Sequence, residues 1–248
     1  MSIKRKILAM TIGPILILGL MSVTFTLTRV KSAMIDEIQD ALMGTAAATL
    51  AAYDQNAGDY IQASNGDIWK GSYNVSKSEN LVDGIKQNTG MDVTFFYGSQ
   101  RIMTSALDSN GDRLLGSPAG DIIVENVLNK GQNYFSKHVS LDGVLNYGYF
   151  MPVYQNGSDT DIIGMVFVGT NKVEKNAVIS RIMITIGAAV CVIMAICAAF
   201  GIKMSSSISK SIRTSIGVVE KVANGNLDVW VDEKLLNRSD EIGDLSKV

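Results

Sequence analysis

The sequence predicts an α+β protein in which an antiparallel sheet lies between two membrane-spanning helices. Two stretches, residues 7–28 and 182–202, contain no charged residue, and each is long enough to cross a hydrocarbon core of about 30 Å. Between them, short alternating runs are separated by turn residues, which is typical of strands. Hydrophobic residues make up 47% of the chain, and this content, concentrated in the two stretches, excludes a cytosolic enzyme.

The charges that flank the apolar stretches predict the orientation in the membrane. Basic residues occupy positions 4–6, acidic residues outnumber basic ones in residues 29–181, and basic residues follow the second stretch. Cytoplasmic flanks are usually enriched in Lys and Arg. We therefore expect a multi-pass protein of the cell membrane, with a cytoplasmic N-terminus at residues 1–6, an extracytoplasmic domain at 29–181 and a cytoplasmic segment at 203–248.

The first apolar stretch also has features of a cleaved signal peptide, because a basic segment precedes it. Its apolar run of about 22 residues is longer than a typical signal-peptide core, and no cleavage pattern of small residues is followed by a turn. We therefore favour an uncleaved transmembrane helix. Both cysteines, Cys191 and Cys197, lie in the second stretch, so we expect no disulfide in the extracytoplasmic domain.

The first helix is expected to continue beyond the membrane to about residue 56. Small and apolar residues recur there at spacings of three and four, which defines one helix face. That face comprises Leu27, Val30, Met34, Ile38, Ala41, Thr45, Ala48 and Ala52. A helix of this extent would be about 75 Å long at 1.5 Å per residue. It needs a partner, either the sheet of its own chain or the same helix of a second subunit, and we favour a homodimer.

From residue 60 the pattern changes from helical to strand-like. The predicted elements are a hairpin at 60–64 and 67–70, a helix at 78–88 that ends before Gly90, strands at 92–97, 101–107, 133–139, 144–154 and 161–169, and a helix at 119–129. The last strand is apolar on both faces, so we expect it to be central. One sheet of about five strands packed on long helices follows from this order.

Four motifs follow one another between residues 59 and 172. They are GDIWKG at 66–71, DVTFFYG at 92–98, RIMTS at 101–105 and IGMVFVG at 163–169. Together they resemble the extracytoplasmic single Cache domain of bacterial methyl-accepting chemotaxis proteins. The resemblance implies a PAS-like sheet behind a long N-terminal helix, and a pocket that takes small molecules.

A short heptad seam follows the second apolar stretch. It comprises Ile208, Ile212, Ser215, Val219 and Val222. Residues 225–227 interrupt the helix, and DEIGDL at 240–245, which includes Glu241, opens another. These residues resemble a HAMP linker, in which two parallel helices per subunit form a four-helix bundle in the dimer and relay signals.

Two features depart from the HAMP pattern. Ser211 stands where many such linkers carry proline, and the second helix has only about nine residues before Val248. We therefore expect a partial linker, with the cytoplasmic signalling domain or kinase complex outside this chain.

The candidate ligand-binding residues lie on the strand that begins at Arg101. Alternation along that strand predicts that Arg101, Met103 and Ser105 share one face. A guanidinium beside a hydroxyl suits a carboxylate ligand, because its planar fork donates two parallel hydrogen bonds. By chemistry alone, an arginine that is solvated or paired with Asp92 is the slightly favoured interpretation. The Cache resemblance implies that polar residues of this region face the pocket, and this reverses the preference.

Two further candidates are Tyr147 and Tyr149, which share a face of the next long strand and either line the same cavity or pack in the core. His138 is the only histidine and has no cysteine or carboxylate at ligand spacing. Residues 108–112 begin like a calcium loop, but Arg113 stands at the glycine position. We find no nucleophile motif, phosphate loop or zinc pattern, and expect no catalytic residue, metal or cofactor.

The combined prediction is a transmembrane chemoreceptor input module. It binds a small extracellular solute, for which we favour an organic carboxylate, and transmits the signal through the second transmembrane helix. We expect it to need no cofactor. The sensor half of a histidine kinase or nucleotide cyclase is an alternative that uses the same modules. A membrane-anchored extracytoplasmic enzyme is an alternative from another class. Because basic residues are diluted by carboxylates throughout, we expect no nucleic-acid partner.

Overall fold

The computed structural model describes residues 3–225. Its elements in chain order are α1 (Ile3–Asp54), β1 (Tyr60–Gln62), β2 (Ile68–Lys70), β3 (Tyr73–Asn74), a 3-10 turn (Val75–Lys77), α2 (Glu79–Thr89), β4 (Asp92–Tyr97), β5 (Gln100–Thr104), α3 (Asp121–Ile123), a π-helical segment (Val124–Asn129), β6 (Tyr134–Leu141), β7 (Val144–Tyr154), β8 (Ile162–Asn171) and α4 (Lys172–Ala223). The α+β class and the long N-terminal helix are therefore confirmed.

The described residues fall into two compact units. One comprises residues 30–182 and holds the sheets. The other comprises the described parts of α1 and α4 at 3–29 and 183–225, where Gly19 packs against Met194. Both helices are long and apolar enough to cross a membrane.

Two antiparallel sheets are present, one of five strands and one of three. The larger has the strand order β5-β4-β8-β7-β6, so β8 is central as predicted. The smaller consists of β1, β2 and β3. The predicted five-stranded sheet and the predicted hairpin of β1 and β2 are therefore confirmed, and β3 extends the hairpin. Gln155, just past β7, joins the two sheets: it accepts a hydrogen bond from the Tyr60 backbone N–H at 2.7 Å and donates one to the Tyr60 carbonyl at 3.0 Å.

The sheet side of α1 is a stripe with spacings of three and four. Leu42, Ala46, Thr49 and Tyr53 are fully buried in the unit that holds the sheets. This stripe lies next to the predicted small-residue face, on which Ala41 and Ala48 are exposed. The chain's own sheet is therefore one partner of α1, and the homodimer stays a prediction.

Each face of the larger sheet carries its own hydrophobic cluster. On the α1 face, Phe95 and Val168 belong to the cluster that includes the buried stripe of α1. On the opposite face, Phe96 and Phe167 pack with Val127 of the π-helical segment. Because neighbouring residues of one strand point to opposite faces, β4 and β8 supply apolar side chains to both clusters.

The helix α2 follows its prediction closely. Val82 is its buried residue, and Gly90 adopts a left-handed conformation with φ of 71° just past its end. This conformation suits glycine, which lacks the Cβ that would clash there.

The helix α4 continues without a break from β8 through the second apolar stretch, past Ser211, to Ala223. Two residues later Gly225 has φ of +85°, which agrees with the predicted interruption. Among the residues predicted to relay the signal, which are Ile208, Ile212, Val219, Val222 and Glu241, the first two are half-buried. Val219 and Val222 are exposed, and Glu241 lies outside the described residues.

Candidate ligand-binding site

A cavity of about 260 Å³ lies on the face of the larger sheet away from α1. Its lining comprises Phe96, Phe150 and Phe167 from three strands, His138, Val139 and Ser140 from β6, Pro118, Ala119, Gly120 and Ile123 from the segment around the start of α3, and Arg101 from β5. The site is therefore an apolar floor with a few polar groups around it, which is the usual composition of a small-molecule pocket.

Arg101 brings a positive charge to this cavity. Its Nη1 donates a hydrogen bond to the Leu114 carbonyl at 3.1 Å, and its guanidinium carbon lies 5.5 Å from the centre of the Phe96 ring. Burial lowers the pKa of the guanidinium, although an arginine stays charged in proteins. The buried Nε has no hydrogen-bond partner among the described residues. An unpaired buried donor on a cation is destabilising, and an anion that accepts its hydrogen bond would satisfy it.

A β-bulge determines which way Arg101 points. Between β4 and β5, Phe95 pairs with Met103 and Phe96 pairs with Arg101, so Ile102 is an extra residue. The bulge reverses the alternation between positions 101 and 103. The prediction that Arg101, Met103 and Ser105 share one face is therefore wrong: Met103 is buried in the cluster on the α1 side.

A loop that follows the edge of β5 supplies the acceptor for Arg101. The Arg101 backbone N–H donates to the Ser117 carbonyl at 3.2 Å, and its carbonyl accepts from Gly116 at 2.8 Å. Arg113 anchors the same loop, since its guanidinium donates to both carboxylate oxygens of Asp83 in α2, at 2.9 and 2.5 Å. The loop beside Arg101 is thus tied to α2.

Ser105 takes part in a polar network at the start of β4. Its hydroxyl accepts from the Val93 N–H at 2.9 Å and donates to Asp92 at 3.1 Å. Lys86 lies 2.7 Å from the same carboxylate and donates to the Ser105 carbonyl at 3.1 Å. Ser105 is 2% exposed, so these bonds give it a structural role away from the cavity.

Tyr147 and Tyr149 share a face of β7 as predicted, but it is the α1 face. Gly148, which lies between them, and Phe150, which follows them, have the opposite orientation and face the cavity side of the sheet. The Tyr147 hydroxyl donates to Asn176 at 2.8 Å, and burial raises its pKa. The two tyrosines therefore do not line the cavity of Arg101, because the sheet lies between them and it.

Sequence reasoning missed the aromatic floor and the polar rim of the cavity. Phe150 directly follows Tyr149, so strand alternation places it on the opposite face from the two tyrosines. The sequence alone could have predicted this. His138 and Ser140 lie in β6 with Val139 between them, and a register irregularity between Ser136 and Val139 disturbs the alternation there. Simple alternation therefore could not have assigned them to the cavity.

Two other cavities have less suitable chemistry for an anion. A groove of about 550 Å³ lies between α1 and α2 and is lined mainly by small and polar residues. A cavity of about 210 Å³ includes Lys70. The Lys70 ammonium already pairs with Asp54 at 3.1 Å and lies 4.1 Å from the centre of the Tyr60 ring, so its charge is balanced within the chain.

Comparison with known proteins finds one family match. Residues 73–182 match the family described as "Single cache domain 3", which covers less than half of the chain. No curated protein matches the sequence.

Several solved structures are similar at low identity. An extracellular ligand binding receptor from Desulfohalobium retbaense has 15% identity and a TM-score of 0.43, over 63% of this chain and 27% of that one. The DcuS sensor domain of E. coli has 14% identity and a TM-score of 0.37, over 58% and 96%. The ligand-binding domain of the Campylobacter jejuni chemoreceptor Tlp3, solved with L-valine, has 11% identity and a TM-score of 0.45, over 68% and 66%.

This chain thus spans about a quarter of the receptor from Desulfohalobium retbaense, two thirds of the Tlp3 domain and nearly all of the DcuS domain. Two apolar helices flank the matched region, which fits a membrane protein with an extracellular sensor. The family match confirms the predicted resemblance to single Cache domains over residues 73–182.

Proposed function

We propose that this chain is the input module of a transmembrane chemoreceptor that binds a small organic anion in the cavity at Arg101. The observation that carries the proposal is the buried Nε of Arg101, which has no partner among the described residues and belongs to a side chain that lines a cavity. A carboxylate supplies the missing acceptor and adds a negative charge to that of Asp92, which already interacts with the guanidinium. The proposal keeps Arg101 from the predicted ligand-binding residues and leaves out Met103, Ser105, Tyr147 and Tyr149.

A route from the cavity to α4 supports a signalling role. The strand β8 leads directly into α4, and the Asn171 side chain accepts a hydrogen bond from the Val173 N–H at 2.9 Å. Lys172 donates to the Lys137 carbonyl at 2.9 Å, next to His138 of the cavity. A shift of β6 on ligand binding would therefore act on the first turn of α4.

The proposed output is a change in α4 that reaches residues 203–248, which act as a HAMP linker in a homodimer. A ligand biases such an equilibrium only by its different affinity for the two states. The two states would therefore differ in the position of β6 against the Arg101 side of the cavity. Both chain termini are proposed to be cytoplasmic.

Thermal unfolding of the full chain in lipid nanodiscs tests the binding site. Acetate, pyruvate, succinate and benzoate are added singly at constant pH and ionic strength. At least one acid should raise the unfolding midpoint, because a ligand that binds only the native state stabilises it by RT ln(1 + [L]/Kd), about 2.7 kcal/mol at 100 times Kd. Arg101→Gln should remove that rise, and Arg101→Lys should remove most of it, because an ammonium lacks the bidentate fork.

The matched control is Lys137→Gln, which removes an exposed positive charge next to the cavity but outside its lining. This variant should keep the full response to the acid. The proposal is wrong if no acid shifts the midpoint, or if Arg101→Gln and Lys137→Gln respond to the acid alike. A lower midpoint for unliganded Arg101→Gln with an unchanged acid response would instead make Arg101 a structural residue.

A further inference from the structure

We infer that the preferred anion is a monocarboxylate with a flat apolar body and no ammonium group. The inference rests on the proposed function and specifies the class of ligand for the same cavity. Three features carry it: the shape of the floor, the charges of the lining and the volume.

Phe167, which lines the floor of the cavity, packs directly on two glycines. Gly148 of β7 pairs directly with Gly169 of β8. A Cβ on Gly148 would lie 2.5 Å from the Phe167 ring and 2.8 Å from Val139, and a Cβ on Gly169 would also clash with the ring. Only glycine at both positions lets the ring lie this close to the sheet.

The Phe150 ring extends this surface. Its centre lies 4.8 Å from the centre of the Phe167 ring, with 39° between the planes. Phe96 adds a third ring, beside the Arg101 guanidinium. The three rings are only 1–2% exposed, so a ligand contacts the small part of each that borders the cavity. A flat apolar body suits this contact through dispersion and aromatic interactions, while its carboxylate reaches Arg101.

The charges of the lining exclude a good site for an ammonium group. Arg101 is its one permanently charged residue, and no aspartate or glutamate lines the cavity within the described part of the chain. An α-amino acid would bring its ammonium into a cavity with a nearby guanidinium and no carboxylate to pair with it, which is unfavourable. A second carboxylate would likewise lack a second permanent cation.

The volume of about 260 Å³ lies just below the range of drug-sized pockets, about 300 to 1,000 Å³. A single ring with a short acidic arm is the size of ligand that such a cavity accepts. 3-Phenylpropionate is a suitable probe, because L-phenylalanine differs from it only by the ammonium group.

Titration calorimetry on the full chain in nanodiscs compares 3-phenylpropionate, L-phenylalanine and succinate. We expect 3-phenylpropionate to bind at least about tenfold more tightly than either competitor, since tenfold corresponds to the modest cost of one poorly paired charge. Gly148→Ala should weaken 3-phenylpropionate at least about tenfold, because the new methyl group displaces the Phe167 ring. Gly84→Ala, where a Cβ meets nothing within 4 Å, is the matched control and should bind like the parent protein.

The comparison of the three probes on the parent protein needs no variant, so it decides the inference even if Gly148→Ala fails to fold. L-Phenylalanine or succinate binding as tightly as 3-phenylpropionate overturns the inference. If that binding is lost in Arg101→Gln, the proposed function stands and only the ligand class is wrong. If none of these three probes binds, the inference is wrong, and the separate acetate, pyruvate and benzoate measurements decide whether the proposed anion site fails with it.

Discussion

Arg113 ties the loop beside Arg101 to α2, and its partner Asp83 makes this contact sensitive to pH. Hydrogen bonds from the Arg113 guanidinium hold the pKa of the Asp83 carboxyl below its usual range. A carboxyl whose pKa is lowered by folding stabilises the protein above the unfolded-state pKa, about 4. That stabilisation is lost as the pH falls through the lower pKa of the folded state.

We therefore expect Arg113→Gln to reduce stability at pH 7 by no more than about 1 kcal/mol, because half of the Asp83 side chain is exposed. The difference from the parent protein should shrink as the pH falls from about 5 through the lowered pKa of folded Asp83. Thermal unfolding of the full chain at several pH values measures it. A constant difference over that interval would mean that the ion pair does not contribute to stability. Lys137→Gln serves as the control for a change in net charge.

Gly164 shows how closely β8 approaches β4. Gly164 pairs with Tyr97, and a Cβ at Gly164 would collide with the Phe96 carbonyl oxygen. Because the obstacle is a backbone atom, no side-chain rotation can relieve the clash. Gly164→Ala should lower stability by about 1 to 3 kcal/mol through this overpacking. Urea unfolding of the full chain measures the change, with Gly84→Ala in open space as the control. Equal stability of the two variants would contradict the account of the β4–β8 contact.

At the level of elements, the sequence predicts where strands begin and end better than it predicts on which side of the sheet each side chain lies. The predicted bounds 92–97 and 144–154 are those of β4 and β7, because long apolar alternation ends at clear turns there. The strand predicted at 101–107 ends earlier, at Thr104, and the chain continues from there as a loop. The bulge at Ile102 depends on pairing with β4, which is a long-range property, so alternation alone assigns Met103 to the wrong side.

The same limit applies to the site. Arg101 is predictable because few residue types recognise a carboxylate. Its surroundings are not, because Phe150, Phe167 and His138 reach the cavity from strands that pair only in the folded sheet. The glycine pair beneath Phe167 is informative only once the register of β7 and β8 is known.

The helix α1 carries the prediction of a homodimer. Its stripe at Leu42 and Ala46 faces the core, whereas Ala41 and Ala48 are exposed. In a protein whose Cys191 and Cys197 are replaced by serine, Ala48→Cys should form disulfide-linked dimers on oxidation in membranes, because small residues permit close helix approach. Ala47→Cys, exposed and about 100° round the helix, should cross-link much less on non-reducing gels. Equal cross-linking at both positions would argue against a specific α1 interface.

At the scale of the whole molecule, the orientation of the chain can be tested by cysteine labelling in intact cells. Single cysteines at Ser2, Asp159 and Ser239, again without the native cysteines, are exposed to a membrane-impermeant thiol reagent. Only the cysteine at Asp159, which lies in an exposed turn, should react. All three should react after the cells are opened. Labelling of Ser2→Cys in intact cells would mean that the proposed orientation is wrong.

The most direct test of the central claim is an experimental structure of the full chain with the acid that gives the largest thermal shift. The account predicts density for the acid in the cavity on the face away from α1, with a carboxylate oxygen within hydrogen-bonding distance of Arg101 Nε. Density for the acid in the groove between α1 and α2, or beside Lys70, with the Arg101 cavity empty would contradict it.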